Sequence, residues 1–289
     1  MAQKLPDRAS GARARRRVRA LIPFGRILFA LALIGLGVEH FVLGDFVTGR
    51  APAWPGWLPG RTGGAALSGA AIIAGAIAIL TGRRARLAAI LVAGMVLVWA
   101  LLRHVPVVAG APLLSPAWTA AGKALTFFGG ALAVAGTRPP DHLLDRIPAG
   151  RFLNGTSGLL ALGRLCLGTF LLITGIQHFM FTPFVASLIP AWFPGVPVFW
   201  TYFAGVALIA GGIGLLVPPT AWLAALLAGA MVFSWIWIVH LPRTLASVSD
   251  SIAIFEAPAV AGIAFVLAGA RLLGTDPAGR DQLRSSRIT

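Results

Sequence analysis

The sequence predicts an all-α polytopic membrane protein of eight transmembrane helices, arranged as two parallel-repeat four-helix bundles. Three observations lead there: an apolar composition, eight apolar runs of spanning length, and one unit written twice. With 57% hydrophobic and 11% charged residues and a mean hydropathy of +0.85, the chain carries more apolar surface than a soluble core of its length hides. The apolar runs fall near 26–43, 64–81, 87–104 and 118–136, then 164–181, 198–217, 221–241 and 254–270. Each is long enough at helical rise to cross a hydrocarbon layer. They are continuous in Leu, Ala, Ile and Gly with no alternation of period two, which argues against a β-barrel.

The first run ends in GVEHF and the fifth in GIQHF, so that Gly37, His40 and Phe41 recur as Gly175, His178 and Phe179, 138 residues on. The match extends through the runs that follow. GRILFALALIGLGVEHFVLGDFV meets GRLCLGTFLLITGIQHFMFTPFV, PAWPG meets PAWFPG, and SGAAIIAGAIAIL meets AGVALIAGGIGLL. LAAILVAGMVLVWALLRHVP meets LAALLAGAMVFSWIWIVHLP, which pairs Trp99 with Trp235, His104 with His240 and Pro106 with Pro242. Four spans per unit is an even number, so the copies share one orientation and relate by an axis along the membrane normal. The domain reading is a basic tail at 1–24, a first unit at 25–136, a linker at 137–163, a second unit at 164–271 and a tail at 272–289.

The net charge of +15 suggests nucleic acid in a soluble protein, but here the arginines sit in loops and are not interleaved with aromatics on a polar domain. Nucleic acid is therefore not expected as a partner; the lipid bilayer is. With eight spans, the N-terminal tail, the turn TGRRARL, the linker and the C-terminal tail share one side. The opposite loops hold only Arg50, Arg61, Arg103 and Arg243. The positive-inside rule then places both termini in the cytoplasm, in a multi-pass protein of the inner (plasma) membrane. RARRRVRA before an apolar run also has the form of a signal peptide, yet that run contains GVEHF, which recurs deep in the chain; it is read as a retained first span. The single cysteine, Cys166, excludes an intramolecular disulfide and CxxC chemistry.

Ionisable residues within the runs are the candidate site. His40, His104, His178 and His240 lie at the outward ends of first and third spans, and Lys123 and Glu256 occupy matched places in the fourth spans. The sharpest expectation is that His178, His240 and Glu256 converge beside Trp192 and Trp235. A corresponding first-half cluster consists of His40, His104, Lys123, Glu39, Trp54 and Trp99. Charged groups at that depth require partners and an inward face. The plainer alternatives are interfacial histidines copied by duplication, tryptophans anchoring the membrane interface, and a structural ion pair between Lys123 and Glu256 across the pseudo-twofold axis. Glu39, matched only by Gln177, is an interfacial residue on that view. No catalytic residue and no metal is assigned.

GxxHF ending a first span, FVxxxxPxW after it, a third span ending in His-x-Pro and a polar residue in a fourth span together resemble the DoxX family of four-span bacterial membrane proteins, here in tandem. The resemblance covers nearly the whole chain apart from tails and linker. It implies a helical bundle and a redox partner protein, since members resemble the membrane part of a thiosulfate:quinone oxidoreductase and others accompany thiol-redox proteins. It supplies no catalytic residues. Similar single-unit sequences carry an acidic residue where Glu256 stands, and Lys123 departs from that pattern. The leading expectation is a quinone-linked redox subunit, with histidine and a buried glutamate as proton donors and acceptors. The alternatives are a non-enzymatic membrane binding or assembly factor, and a haem site ligated by histidines from two helices or a facial metal site of two histidines with Glu256. Whether the protein is an enzyme stays open at this point.

Overall fold

The computed structural model describes residues 8–47, 59–247 and 251–271, and every regular element in them is helical. Eight principal helices appear among the described residues: α1 (Arg8–Leu43), α2 (Arg61–Thr81), α3 (Ala85–Gly110), α4 (Pro116–Gly136), α5 (Ser157–Met180), α6 (Pro197–Leu216), α7 (Ala221–Ala246) and α8 (Ser251–Ala270). The eight apolar runs lie within them to about a residue. Prolines open α4 and α6, where the missing N–H has no intrahelical partner to lose. Gly82 ends α2 at φ 81, a left-handed conformation that suits glycine.

Seven of these helices, all but α4, are long and apolar enough to cross a membrane. The chain is thus a multi-pass helical membrane protein, and Leu67, Leu91, Val206 and Leu227, each at least 60% exposed, are the kind of side chain that lipid covers. The expected eighth apolar span is the point of difference. α4 packs between α3 and α5 and also touches α8, and it is buried without a break from Gly129 to Gly136. Protein replaces lipid around it, so mostly small residues stand where a lipid-facing helix is bulky.

Each helix packs on the next in chain order, and α8 closes on α1. The principal neighbours of α1 are α8 and α2, while those of α5 are α4 and α6. This corrects the expectation of two self-contained bundles. The fourth helix of each unit lies against the first helix of the other, so α4 and α8 form a shared central pair.

Glycine explains why. A methyl group placed on Gly262 would stand 2.5 Å from the Gly25 carbonyl oxygen, and one on Gly163 would stand 2.9 Å from the Gly129 carbonyl oxygen. Gly25 matches Gly163, and Gly262 matches Gly129, so the same backbone-to-backbone crossing is made twice. Cys166 is buried against Gly129 at the second crossing.

The linker is shorter and more ordered than its expected 137–163, because α5 already begins at Ser157. Arg86, only 2% exposed, donates to the carbonyls of Ala135, Asn154 and Gly155, tying the end of α4 to the start of α5. Asn154 in turn accepts from the Asp141 N–H at 3.0 Å and donates to the Asp145 carboxylate at 2.6 Å. The expected basic tail is helical from Arg8; residues 1–7 and the C-terminal tail lie outside the described residues.

Candidate functional site

The GxxHF motif is first a packing device. Gly37 and His40 share a face of α1, and a methyl on Gly69 of α2 would stand 2.7 Å from the Gly37 carbonyl oxygen and 2.8 Å from the His40 Cβ. In the second unit Gly205 of α6 meets His178 and Phe179 in the same way, at 3.1 and 2.7 Å. Each histidine then bonds its own helix: His40 Nδ1–H donates to the Leu36 carbonyl at 2.8 Å, and His178 Nδ1–H to the Thr174 carbonyl at 2.7 Å. A carbonyl only accepts, so Nδ1 carries the proton and Nε2 of the neutral ring is left with the lone pair.

His178 lies near-parallel to Trp235 of α7, with ring centroids 6.3 Å apart. In the first unit the buried His40 meets Phe46, which packs on Trp99, and the Arg103 guanidinium lies over both of those rings. The two matched tryptophans thus line the same inter-helix region as the motif histidines. Trp192 is 62% exposed and packs edge-on against Phe193, and Trp54 lies outside the described residues.

His104 and His240 are half-buried and each ends a π turn, Ala100–His104 in α3 and Ile236–His240 in α7. The cause follows two residues on. Pro106 and Pro242 lack an N–H, and their rings crowd the carbonyl four residues back, so the chain accommodates them by bonding Val105 N–H to Ala100 and Leu241 N–H to Ile236, five residues back. The extra residue turns the two histidines by about 100° from the face an unbroken helix would give them. The π turn of His240 packs on α8, which bears Glu256, and that of His104 packs on α4, which bears Lys123.

Lys123 and Glu256 do not stand in separate clusters. Lys123 Nζ donates to Glu256 Oε2, joining α4 to α8 between the two units. Gly130 and Ile263, at matched positions two turns further along, also meet. The pseudo-twofold axis therefore runs between α4 and α8. The ion pair gives Glu256 a structural contact between α4 and α8. Among the described residues no three His, Cys, Asp or Glu side chains are grouped so as to hold a metal ion.

Gln177 is the residue that sequence reasoning passed over. Its Nε2 donates to the carbonyls of Leu114 and Ser115, both at 3.0 Å, and its Oε1 accepts from Thr119 at 2.6 Å, binding α5 to the start of α4. The signal available in the sequence was the replacement of Glu39 by an amide at the matched position: two carbonyls need a donor, and a carboxylate has none. Gln177→Glu is accordingly expected to destabilise the protein by about 1–3 kcal/mol, read as a lowered unfolding midpoint in detergent; an unchanged midpoint would refute the role.

A domain of unknown function family, DUF8561, matches residues 167–268. That stretch begins inside α5 and ends inside α8, within the second unit. No curated protein and no solved structure matches the chain.

Outside the spans, Asp45 receives the Arg61 guanidinium, and that hydrogen bond holds its carboxyl below the usual carboxylate range. A lowered carboxylate contributes stability above its unfolded value near 3.8, lost as pH falls through the lower folded value. Asp45→Asn is expected to flatten that acid limb and leave neutral stability within about 0.5 kcal/mol, since the pair is exposed; acid titration of the unfolding midpoint checks it.

Proposed function

We propose that the chain is a DoxX-like integral membrane protein of eight spans, α4 included, whose outer-leaflet histidine layer takes the headgroup of a quinol and serves a redox partner protein. Both termini lie in the cytoplasm and the membrane is the plasma membrane. The observation that carries this reading is the hydrogen bond between His178 Nδ1 and the Thr174 carbonyl. With Nδ1–H committed to Thr174, Nε2 offers its lone pair beside the Trp235 ring. A quinol brings the electrons and two hydroxyl hydrogens; His178 accepts a hydrogen bond from one hydroxyl, and Trp235 covers a face of the headgroup. His178→Phe is expected to lower the quinone that co-purifies from membranes about tenfold, the worth of one good hydrogen bond. Wild-type protein without bound or exchangeable quinone, together with no redox phenotype on deleting the gene, would refute the reading.

A second reading, a membrane assembly factor without chemistry of its own, is favoured by the Lys123–Glu256 ion pair, which joins the two units into one body. Proteins recovered with the full chain after mild crosslinking in membranes distinguish the two: a redox enzyme supports the first, an envelope or secretion protein the second.

A further inference from the structure

Arginines converge where the α2–α3 turn meets the end of α4. Arg138, just past α4, lies over Gly82, where an added methyl would stand 3.1 Å from a terminal guanidinium nitrogen. Arg26 of α1 is near enough for the two charges to repel. The Nε–H of each is shut off from solvent and has no acceptor among the described residues. An apolar groove of about 320 Å³ runs between α2 and α3, lined by Ala71, Ala74, Ala78, Ala88, Leu91 and Met95. Ala78 and Ala88, the lining residues nearest the α2–α3 turn in sequence, stand four residues before and six residues after Gly82.

We propose that the arginine pair and the groove are one binding site for an anionic phospholipid. The phosphate lies between Arg26 and Arg138, and one acyl chain follows the groove. Two guanidiniums match the charge and the oxygens of a phosphate, which accepts from their terminal N–H groups and screens their repulsion. The turn between two spans is at headgroup level, and basic pockets between spans are where such headgroups bind. Alanines make the groove: larger side chains at those places would fill it. The second unit does not repeat the site. Arg164 and Arg271 match Arg26 and Arg138, but Arg271 is drawn over the Trp222 ring, 4.8 Å from its centroid. One lipid per chain follows.

The test is native mass spectrometry of the full chain released from nanodiscs holding phosphatidylglycerol and phosphatidylcholine in equal amounts. One phosphatidylglycerol is expected to stay bound in preference to phosphatidylcholine. Arg138→Gln should lower its retention roughly fivefold, and Arg26→Gln with Arg138→Gln about 25-fold. Ala74→Phe, which fills the groove from an exposed position, should lower it as well, while Arg271→Gln should leave it unchanged. If the double variant fails to fold, Arg138→Gln and Ala74→Phe decide. Equal retention of the two lipids overturns the site, as does full retention in both of those variants. Release of the lipid by inorganic phosphate alone identifies a free-anion site and overturns the assignment to lipid.

Discussion

Replacing Lys123 with Met is expected to destabilise the protein by about 3 kcal/mol, the low end for breaking a buried ion pair. The low end is chosen because the two side chains are still 18% and 17% exposed. Glu256 would then carry an unpaired charge between α4 and α8, where helix surrounds it and ionised groups are costly. The double variant Lys123→Met with Glu256→Met removes both charges and should recover most of the loss. A double-mutant cycle on unfolding midpoints in mixed detergent measures the coupling. A single variant within about 0.5 kcal/mol of wild type would mean that the pair does not hold the units together. Glu256→Gln separates the roles: loss of stability with quinone binding intact points to the ion pair, whereas loss of binding at unchanged stability would assign Glu256 to proton handling.

Gly262→Ala is expected to cost about 1–3 kcal/mol or more, and Gly129→Ala a similar amount. On Gly129 the added methyl meets the Cys166 Cβ at 2.4 Å and Sγ at 2.7 Å, of which only the Sγ can rotate away. On Gly262 it faces the Gly25 carbonyl oxygen at 2.5 Å and the Phe29 nitrogen at 2.8 Å. Relief requires the helices to part, and α1–α8 and α4–α5 are the contacts that close the ring. Gly94→Ala is the control. It sits in α3 with nothing within 4 Å of the added carbon, so only helix propensity acts, and a gain of up to about 1 kcal/mol is expected. Equal effects at Gly262 and Gly94 would show that the crossing does not depend on close backbone approach.

Much of the architecture was legible in the chain because bilayer thickness sets a length and apolarity that any span must meet, so runs such as 64–81 and 221–241 can be read directly. Duplication was legible too, and it placed Lys123 and Glu256 at one depth on matched helices. A structural ion pair across the axis was among the alternatives, and that is the contact the two side chains make. What the residues alone did not decide was which neighbour each helix takes. α4 and α8 come from copies of one ancestral helix and present similar faces, so α1 has two comparable surfaces on which to close. The choice of α8 rests on the fit of Gly25 to Gly262, a contact between residues 237 positions apart that no local periodicity reports. The aim of His104 and His240 was hidden for another reason: Pro106 and Pro242 insert a π turn, and a helical wheel drawn on uniform geometry puts the rings about 100° away from where they lie. Sequence by itself determined the helices and their repeat, because those follow from composition, length and self-similarity. Only the tertiary structure decided the partners, because partner choice rests on backbone approach at glycines and on the count of residues in one turn.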